Sequence, residues 1–84
     1  MNLKQIAAVR AVDHVQDGMV LGLGTGSTTA YAIDELGARI AAGRLRNVVG
    51  VPTSEATPRR AQALGIPLTT LADQPVLDLV IDGA

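Results

Sequence analysis

Short apolar runs alternate along the chain with longer stretches that mix apolar and polar residues. A run of this kind, bounded by glycine, proline or polar residues, is typical of a buried strand. Four such runs predict strands, at residues 19–24, 47–51, 66–70 and 75–84. The third prediction is weakened by Pro67, which has no amide hydrogen to give to a neighbouring strand, and the fourth run is nearly continuous except for Asp78.

The stretch between the first two runs has the clearest helical pattern. Its apolar stripe recurs every three or four positions and consists of Thr29, Ile33, Leu36 and Ile40. Charged residues stand on the opposite side, at Asp34, Glu35 and Arg39. This pattern predicts an amphipathic helix that packs its stripe on an apolar surface.

Two further helices are predicted, one before the first strand and one after the second. The first covers residues 3–18, with good helix formers followed by Gly18 as a C-terminal cap, although its apolar positions drift around the helix. The other covers residues 53–65, with Ser54 as its N-terminal cap, Pro58 in its first turn and Gly65 at its end.

The order of these elements predicts the fold class. Alternating helices and strands favour right-handed crossovers and an α/β fold with an open, mostly parallel, Rossmann-like sheet and flanking helices. At 84 residues the chain is one domain at most, and we expect a fragment that is cut after the fourth strand. Apolar residues make up 48% of the chain and Tyr31 is its only aromatic residue, so a core of Val, Leu, Ile and Ala is expected.

Composition and charge narrow the range of partners and chemistries. The net charge is −1 and the seven Lys and Arg are scattered, so no nucleic-acid partner is predicted. Cysteine is absent, which excludes disulfides and thiolate catalysis, and no apolar run approaches the roughly 18 residues that cross a bilayer. We therefore expect a cytoplasmic protein without a membrane partner. His14 has no acidic partner at metal-ligand spacing, which favours a surface or packing role.

The most unusual segment follows the first strand, where residues 20–29 read VLGLGTGSTT. A strand that enters a helix through glycines leaves backbone amides exposed at the positive end of the helix dipole, where phosphate binds readily. A nucleotide P-loop would need a lysine after the last glycine, and the dinucleotide fingerprint would need glycine in place of Ser27. The segment predicts a different phosphate site, with a plain turn capped by Ser27 or Thr28 as the alternative.

A second candidate group is the acid at the end of the fourth strand, in the sequence IDGA. Asp82 followed by glycine is by itself typical of a turn. In the common doubly wound strand order, 3-2-1-4, the first and fourth strands are neighbours, and ligands bind in the crevice at their carboxyl ends. Asp82 would then face the glycine-rich loop, and the two together predict a site for a small phosphorylated metabolite.

Four segments of the chain resemble the ribose-5-phosphate isomerase A family in order and spacing: GLGTGSTTAYAIDELG, VGVPTSEAT, ALGIPL and LDLVIDGA. The resemblance covers nearly the whole chain, so residues 1–84 are expected to be the N-terminal part of a single sugar-phosphate-binding domain. It implies interconversion of D-ribose 5-phosphate and D-ribulose 5-phosphate in the non-oxidative pentose phosphate pathway. It also implies that neither a metal nor an organic cofactor takes part, and a homodimer is expected for the full-length protein.

The resemblance assigns roles to individual residues. One substrate-binding loop of the family matches Thr25, Gly26, Ser27 and Thr28. A second matches, at its first three positions, Asp82, Gly83 and Ala84. Asp82 is also a candidate catalytic residue that assists ring opening or contacts a hydroxyl group, and Lys4 stands where the family often has a lysine near the phosphate. Because the general base of the family, a glutamate, lies beyond this segment, we expect these 84 residues alone to bind substrate poorly and not to turn it over.

Two other functions stay open at this point. A non-catalytic sugar-phosphate sensor domain of a transcription regulator carries a similar loop. A helix-turn-helix segment upstream would favour the sensor, but Met1 lies only about 20 residues before the loop. One half of an acyl-CoA transferase shares the glycine turn, but it would need a catalytic glutamate that is not visible in this sequence.

Overall fold

The computed structural model describes residues 2–24, 26–53 and 56–82. In chain order its elements are α1 (Leu3–Asp13), β1 (Val20–Leu23), α2 (Ser27–Ala41), β2 (Val49–Pro52), α3 (Ala56–Ala63) and β3 (Leu79–Ile81). The three strands form one parallel sheet in the order β2-β1-β3. The predicted α/β fold, with an open parallel sheet and flanking helices, is confirmed.

The third predicted strand, residues 66–70, is not a strand in the structure, so the described residues form three strands instead of four. Leu68 forms a single parallel bridge with Gly50 of β2. The Gly50 amide donates to the Pro67 carbonyl at 2.8 Å, and the Thr69 amide donates to the Gly50 carbonyl at 2.8 Å. Pro67 itself cannot donate a ladder hydrogen bond, which limits the pairing. The segment still lies beside β2, and the first and last strands are neighbours, as the order 3-2-1-4 predicts.

The first helix ends earlier than predicted. α1 ends at Asp13 with His14 as its C-cap, because the chain turns there and buries Val15 in the core. Gly18 has a φ of +80° in the turn before β1, where its amide donates to the Arg46 carbonyl at 3.0 Å. The prediction that Gly18 caps α1 is wrong, although the residue does adopt the left-handed conformation that favours glycine.

The third helix ends at Ala63, and Gly65 terminates it two residues later, in the capping role that was predicted for it. Gly65 has a φ of +75° and its amide donates to the Gln62 carbonyl at 3.1 Å. The next amide, that of Ile66, donates to the Ala61 carbonyl at 3.0 Å, which completes a Schellman motif. Ile66 and Ala61 are both buried, so the motif also anchors the end of α3 in the core. The cap predicted at Ser54 lies outside the described residues.

Aliphatic side chains join the helices to the sheet. The stripe predicted on α2 is confirmed, since its residues are buried or, at Ile40, half-buried. From the sheet, Leu21 and Leu23 of β1 and Ile81 of β3 enter the same cluster. The buried residues of this cluster are all Ala, Val, Leu or Ile within the part of the chain that the structure describes, as the composition predicts.

Ion pairs link the helices along their outer sides. Arg39 of α2 donates to Glu35 at 2.7 Å and to Asp13, at the end of α1, at 2.7 Å. The hydrogen bond with Glu35 is the main cause that raises the pKa of Arg39; burial opposes this increase, and the hydrogen bond with Asp13 adds to it. Arg60 of α3 donates to both carboxylate oxygens of Asp34, at 3.0 and 2.6 Å, and the pKa of Arg60 is raised by this bond. None of the described helices has the length and apolar character of a membrane span.

Candidate functional site

Those predicted site residues that the structure describes lie around the carboxyl end of β1, which is held by both neighbouring strands. The Gly24 amide donates to the carbonyl of Ile81 at the end of β3, at 2.8 Å. On the other side, Thr53 follows β2 and donates to the Leu23 carbonyl through its amide at 2.9 Å and its hydroxyl at 3.0 Å. These bonds fix the start of the glycine-rich loop relative to β2 and β3.

Asp82 lies directly against Gly24. A Cβ atom added to Gly24 would stand 2.7 Å from Cγ of Asp82 and 3.0 Å from its Cβ, which is too close for a side chain at position 24. Gly24 is buried, whereas Asp82 is exposed. The glycine therefore allows the carboxylate to lie across the start of the loop, and the structure brings the loop and Asp82 together.

The second helix begins at the end of this loop. Its N-cap is Gly26, with φ 101° and ψ 164°, a conformation that is essentially confined to glycine. Ser27 is the first helical residue, so the alternative in which Ser27 or Thr28 caps the turn is wrong. Gly26 takes that position because a residue with a side chain could not adopt its backbone angles without strain. The amino end of α2, with its partial positive charge, thus faces the loop.

Lys4 reaches the same end of α2 from the first turn of α1. Its Nζ donates to the Ser27 hydroxyl oxygen at 2.6 Å, and both side chains are exposed. Because an ammonium group adds a full charge to the partial charge of the helix end, this point on the surface attracts anions. Lys4 and Ser27 line an open depression together with Asn2, Leu3 and Tyr31.

The other predicted residues are less informative. Three of them lie outside the described part of the chain: Thr25, Gly83 and Ala84. Thr28 is half-buried in the first turn of α2. His14 is the exposed C-cap of α1, at the far end of that helix from Lys4.

Two further residues at this site, Asn2 and Tyr31, are not among those predicted from the sequence. The Asn2 side-chain amide donates to the Tyr31 hydroxyl at 3.2 Å. A signal for each is nevertheless present in the sequence. Tyr31 follows Ser27 by four residues and so stands on the same face of the helix, and Asn2 with Gln5 has the spacing of a capping box.

The arrangement combines two kinds of binding group. The Lys4 ammonium and the amino end of α2 attract an anion, and the exposed Asp82 carboxylate accepts hydrogen bonds from hydroxyl groups. Among residues 2–24, 26–53 and 56–82, no cluster of three acidic or histidine side chains has the geometry of a metal site. A molecule with a phosphate at one end and hydroxyl groups along its chain matches these groups.

Comparisons with known proteins connect the chain to one enzyme family. The family model described as ribose 5-phosphate isomerase A (phosphoriboisomerase A) matches residues 49–84. Ribose-5-phosphate isomerase A from Gloeobacter violaceus is 62% identical over 98% of this chain and 35% of its own length. A relative from Arabidopsis thaliana, named as a probable ribose-5-phosphate isomerase 3, chloroplastic, is 52% identical over 99% of this chain and 30% of its own length.

A solved structure of a ribose-5-phosphate isomerase has the same fold as this chain. It is a D-ribose-5-phosphate isomerase in complex with phospho-erythronic acid, and it superposes on this chain with a TM-score of 0.95 at 44% identity. The match covers 100% of this chain and 38% of the solved one. The chain thus spans about a third of the length of the relatives that it matches. Sequence and fold together identify it with the N-terminal part of the ribose-5-phosphate isomerase A family.

Proposed function

We propose that this chain takes part in the aldose-ketose isomerisation of D-ribose 5-phosphate and D-ribulose 5-phosphate, and that it supplies the phosphate-binding loop and one aspartate of the site. The observation that carries the proposal is the placement of Lys4 on Ser27 at the amino end of α2, with Asp82 beside the same loop at Gly24. Similarity to proteins named as ribose-5-phosphate isomerases supports it, whereas the alternative of a sugar-phosphate sensor has no support from these relatives.

The phosphate of the substrate would bind at the amino end of α2. In the proposal its oxygens accept hydrogen bonds from the loop formed by Thr25, Gly26, Ser27 and Thr28. The conformation of Gly26 supports this role because it lets the backbone approach an anion without a Cβ atom in between. The Lys4 ammonium adds charge at the same point, since its hydrogen bond to Ser27 holds it within reach of a group bound there.

Asp82 would act on the sugar part of the substrate. Isomerisation requires ring opening and then the transfer of a proton between C2 and C1, with a base and a group that stabilises the enediolate. An exposed carboxylate next to the loop is suited to assist ring opening or to accept a hydrogen bond from a hydroxyl group. Gly83 and Ala84 would contact the substrate in the same segment. Following the family resemblance, the proposal includes neither a metal nor an organic cofactor.

The remaining parts of the proposal concern the whole protein. Residues 1–84 would form the N-terminal part of a single Rossmann-like, sugar-phosphate-binding domain. Its partner would be a pentose 5-phosphate, without nucleic acid or membrane, and the full-length protein would form a homodimer. We propose the cytoplasm as its location, although one Arabidopsis relative is named as chloroplastic and similarity therefore does not decide the compartment.

The test is a chimera in which this chain is followed by the remaining part of the Gloeobacter violaceus relative, to which it is 62% identical. We expect the chimera to convert D-ribose 5-phosphate to D-ribulose 5-phosphate, measured by the formation of ketose. Lys4→Met should raise KM by about tenfold to a hundredfold, because a charged hydrogen bond contributes about 1.5–3 kcal/mol. Asp82→Asn should lower kcat more than it changes KM. A folded chimera without activity would contradict the proposal.

A further inference from the structure

Two hydrogen bonds join the first turn of α1 to the first two turns of α2. Lys4 Nζ donates to the Ser27 hydroxyl oxygen at 2.6 Å, and Asn2 Nδ2 donates to the Tyr31 hydroxyl oxygen at 3.2 Å. Ser27 and Tyr31 are four residues apart, so they lie one above the other on the same face of α2. Two contacts of this kind fix both the height and the rotation of the first turn of α1 over the site.

The side-chain amide of Asn2 is held in one orientation by α1 itself. Asn2 is the N-cap of α1, and its Oδ1 accepts the Gln5 amide at 2.8 Å while the Gln5 side chain accepts the Asn2 amide at 3.0 Å. This capping box uses the oxygen of the Asn2 side chain and therefore turns its Nδ2 group outwards, towards Tyr31. The donor that meets the Tyr31 hydroxyl is thus set by the cap.

Apolar packing does not anchor this turn. The buried residues of α1 are Ala8 and Val12, which belong to its later turns, and Leu3 is 84% exposed. Tyr31, by contrast, is half-buried with its ring packed against the core. The hydroxyl of Tyr31 is therefore a fixed point, and the Asn2 hydrogen bond ties a loosely packed turn to it.

We propose that Asn2 and Tyr31 are positioning residues for Lys4, holding the first turn of α1 so that the ammonium stays on Ser27 where a phosphate binds. The inference rests on the proposed function, in which Lys4 helps to bind phosphate. The lysine side chain is long and flexible, and its exposed hydrogen bond competes with water, so Lys4 depends on where its backbone is held. Neither Asn2 nor Tyr31 needs to touch the substrate in order to affect its affinity.

The test titrates this 84-residue chain with inorganic phosphate and follows the backbone amides of Ser27 and Thr28 by NMR. Tyr31→Phe removes only the hydroxyl group and should raise the Kd for phosphate by about threefold to tenfold, the effect of one net hydrogen bond. Asn2→Ser keeps a capping oxygen but is too short to reach Tyr31, and it should raise the Kd by a similar factor. The midpoint of thermal unfolding should stay close to that of the parent chain in both variants.

The decisive measurement repeats Tyr31→Phe in a Lys4→Met background. If Tyr31 acts through Lys4, its substitution should leave the Kd of Lys4→Met unchanged, whereas a general structural role would weaken binding in both backgrounds and would overturn the inference. If Lys4→Met weakens phosphate binding and Tyr31→Phe in the parent chain does not, the positioning role of Tyr31 is refuted, while the phosphate-binding role of Lys4 is retained. If Lys4→Met leaves the Kd unchanged, the phosphate-binding role of Lys4 in the proposed function fails, and the inference fails with it.

Discussion

At the scale of single residues, the site depends on backbone angles that only glycine adopts without strain. Gly26 has φ 101° and ψ 164° at the point where the loop becomes α2. Gly43 also has a positive φ, of +76°, but it follows the other end of α2 and an added Cβ would meet no atom within 4 Å. The two residues therefore serve as a test and its control. A side chain would strain the backbone at either position, but only Gly26 lies at the proposed site.

Gly26→Ala is expected to affect both stability and binding, and Gly43→Ala only stability. Each substitution should cost about 1–3 kcal/mol of unfolding free energy, because a side chain disfavours these backbone angles. Gly26→Ala should in addition weaken the binding of inorganic phosphate by more than tenfold. Urea unfolding and an NMR titration of both variants measure the two effects. Equal phosphate affinities in the two variants would show that the conformation of Gly26 does not serve the site.

The contacts within the site were harder to predict than the residues themselves. Gly26, Ser27 and Asp82 stand out in the sequence because glycines, hydroxyls and an acid follow predicted strands. The contact between Lys4 and Ser27 depends on how α1 packs, and the apolar positions of α1 drift around the helix instead of marking one face. Packing of that kind is decided by the tertiary structure and cannot be obtained from a local pattern.

At the scale of the elements, the regular periodicity of apolar residues predicted the buried face of α2 correctly. The end of α1 and the strand at residues 66–70 were predicted incorrectly. The stripe on α2 fixed the buried face of that helix because one side chain every three or four residues meets the sheet. The predicted end of α1 was too late in the chain. Burial of Val15 decides where the chain turns, and this burial depends on residues that are distant in sequence. Residues 66–70 form only a single bridge with β2 and not the predicted strand, because Pro67 cannot donate a hydrogen bond to a neighbouring strand.

The ion pairs between helices give a prediction about which contacts hold the elements together. Arg39 is 11% exposed and binds acids on two helices, whereas the side chain of Arg60 is 49% exposed and binds one. Arg39→Met should lower the unfolding free energy by about 1–3 kcal/mol, and Arg60→Met by less than about 1 kcal/mol, because exposed pairs are screened by water. Urea unfolding of the two variants measures the difference, and equal losses would contradict this ranking.

The pH dependence of the Arg39 contribution follows from the direction of its pKa shift. Its hydrogen bond with Glu35 raises the pKa of Arg39 above the usual value. A base whose pKa is raised by folding stabilises the protein at every pH below the unfolded value, and this contribution is lost only as the pH passes the folded value. Both values lie far above neutral pH, so the difference in stability between Arg39→Met and the parent chain should be the same at pH 7 and pH 9.

At the scale of the whole molecule, the groups of the proposed site lie at one end of the sheet. The carboxyl ends of β1 and β3 carry the loop and Asp82. Asp78 belongs to the opposite end of the sheet, where its carboxylate accepts the Val20 amide at 2.8 Å. Isomerisation needs a base that removes the C2 proton in addition to the groups that hold the phosphate and open the ring. From the resemblance to the isomerase family, we propose that none of the 84 residues supplies that base.

The isolated 84-residue chain is therefore expected to bind D-ribose 5-phosphate weakly, with a Kd on the order of millimolar, and not to isomerise it. Proton NMR in D₂O distinguishes a chain that cannot remove the C2 proton from one that removes it but does not complete the isomerisation. A chain without a base should neither form ketose nor exchange the C2 proton for deuterium. The chimera with the Gloeobacter violaceus relative serves as the active control under the same conditions. Deuterium at C2 in the presence of the isolated chain would contradict this expectation, because it would show that these residues supply a base for the C2 proton in addition to a phosphate site.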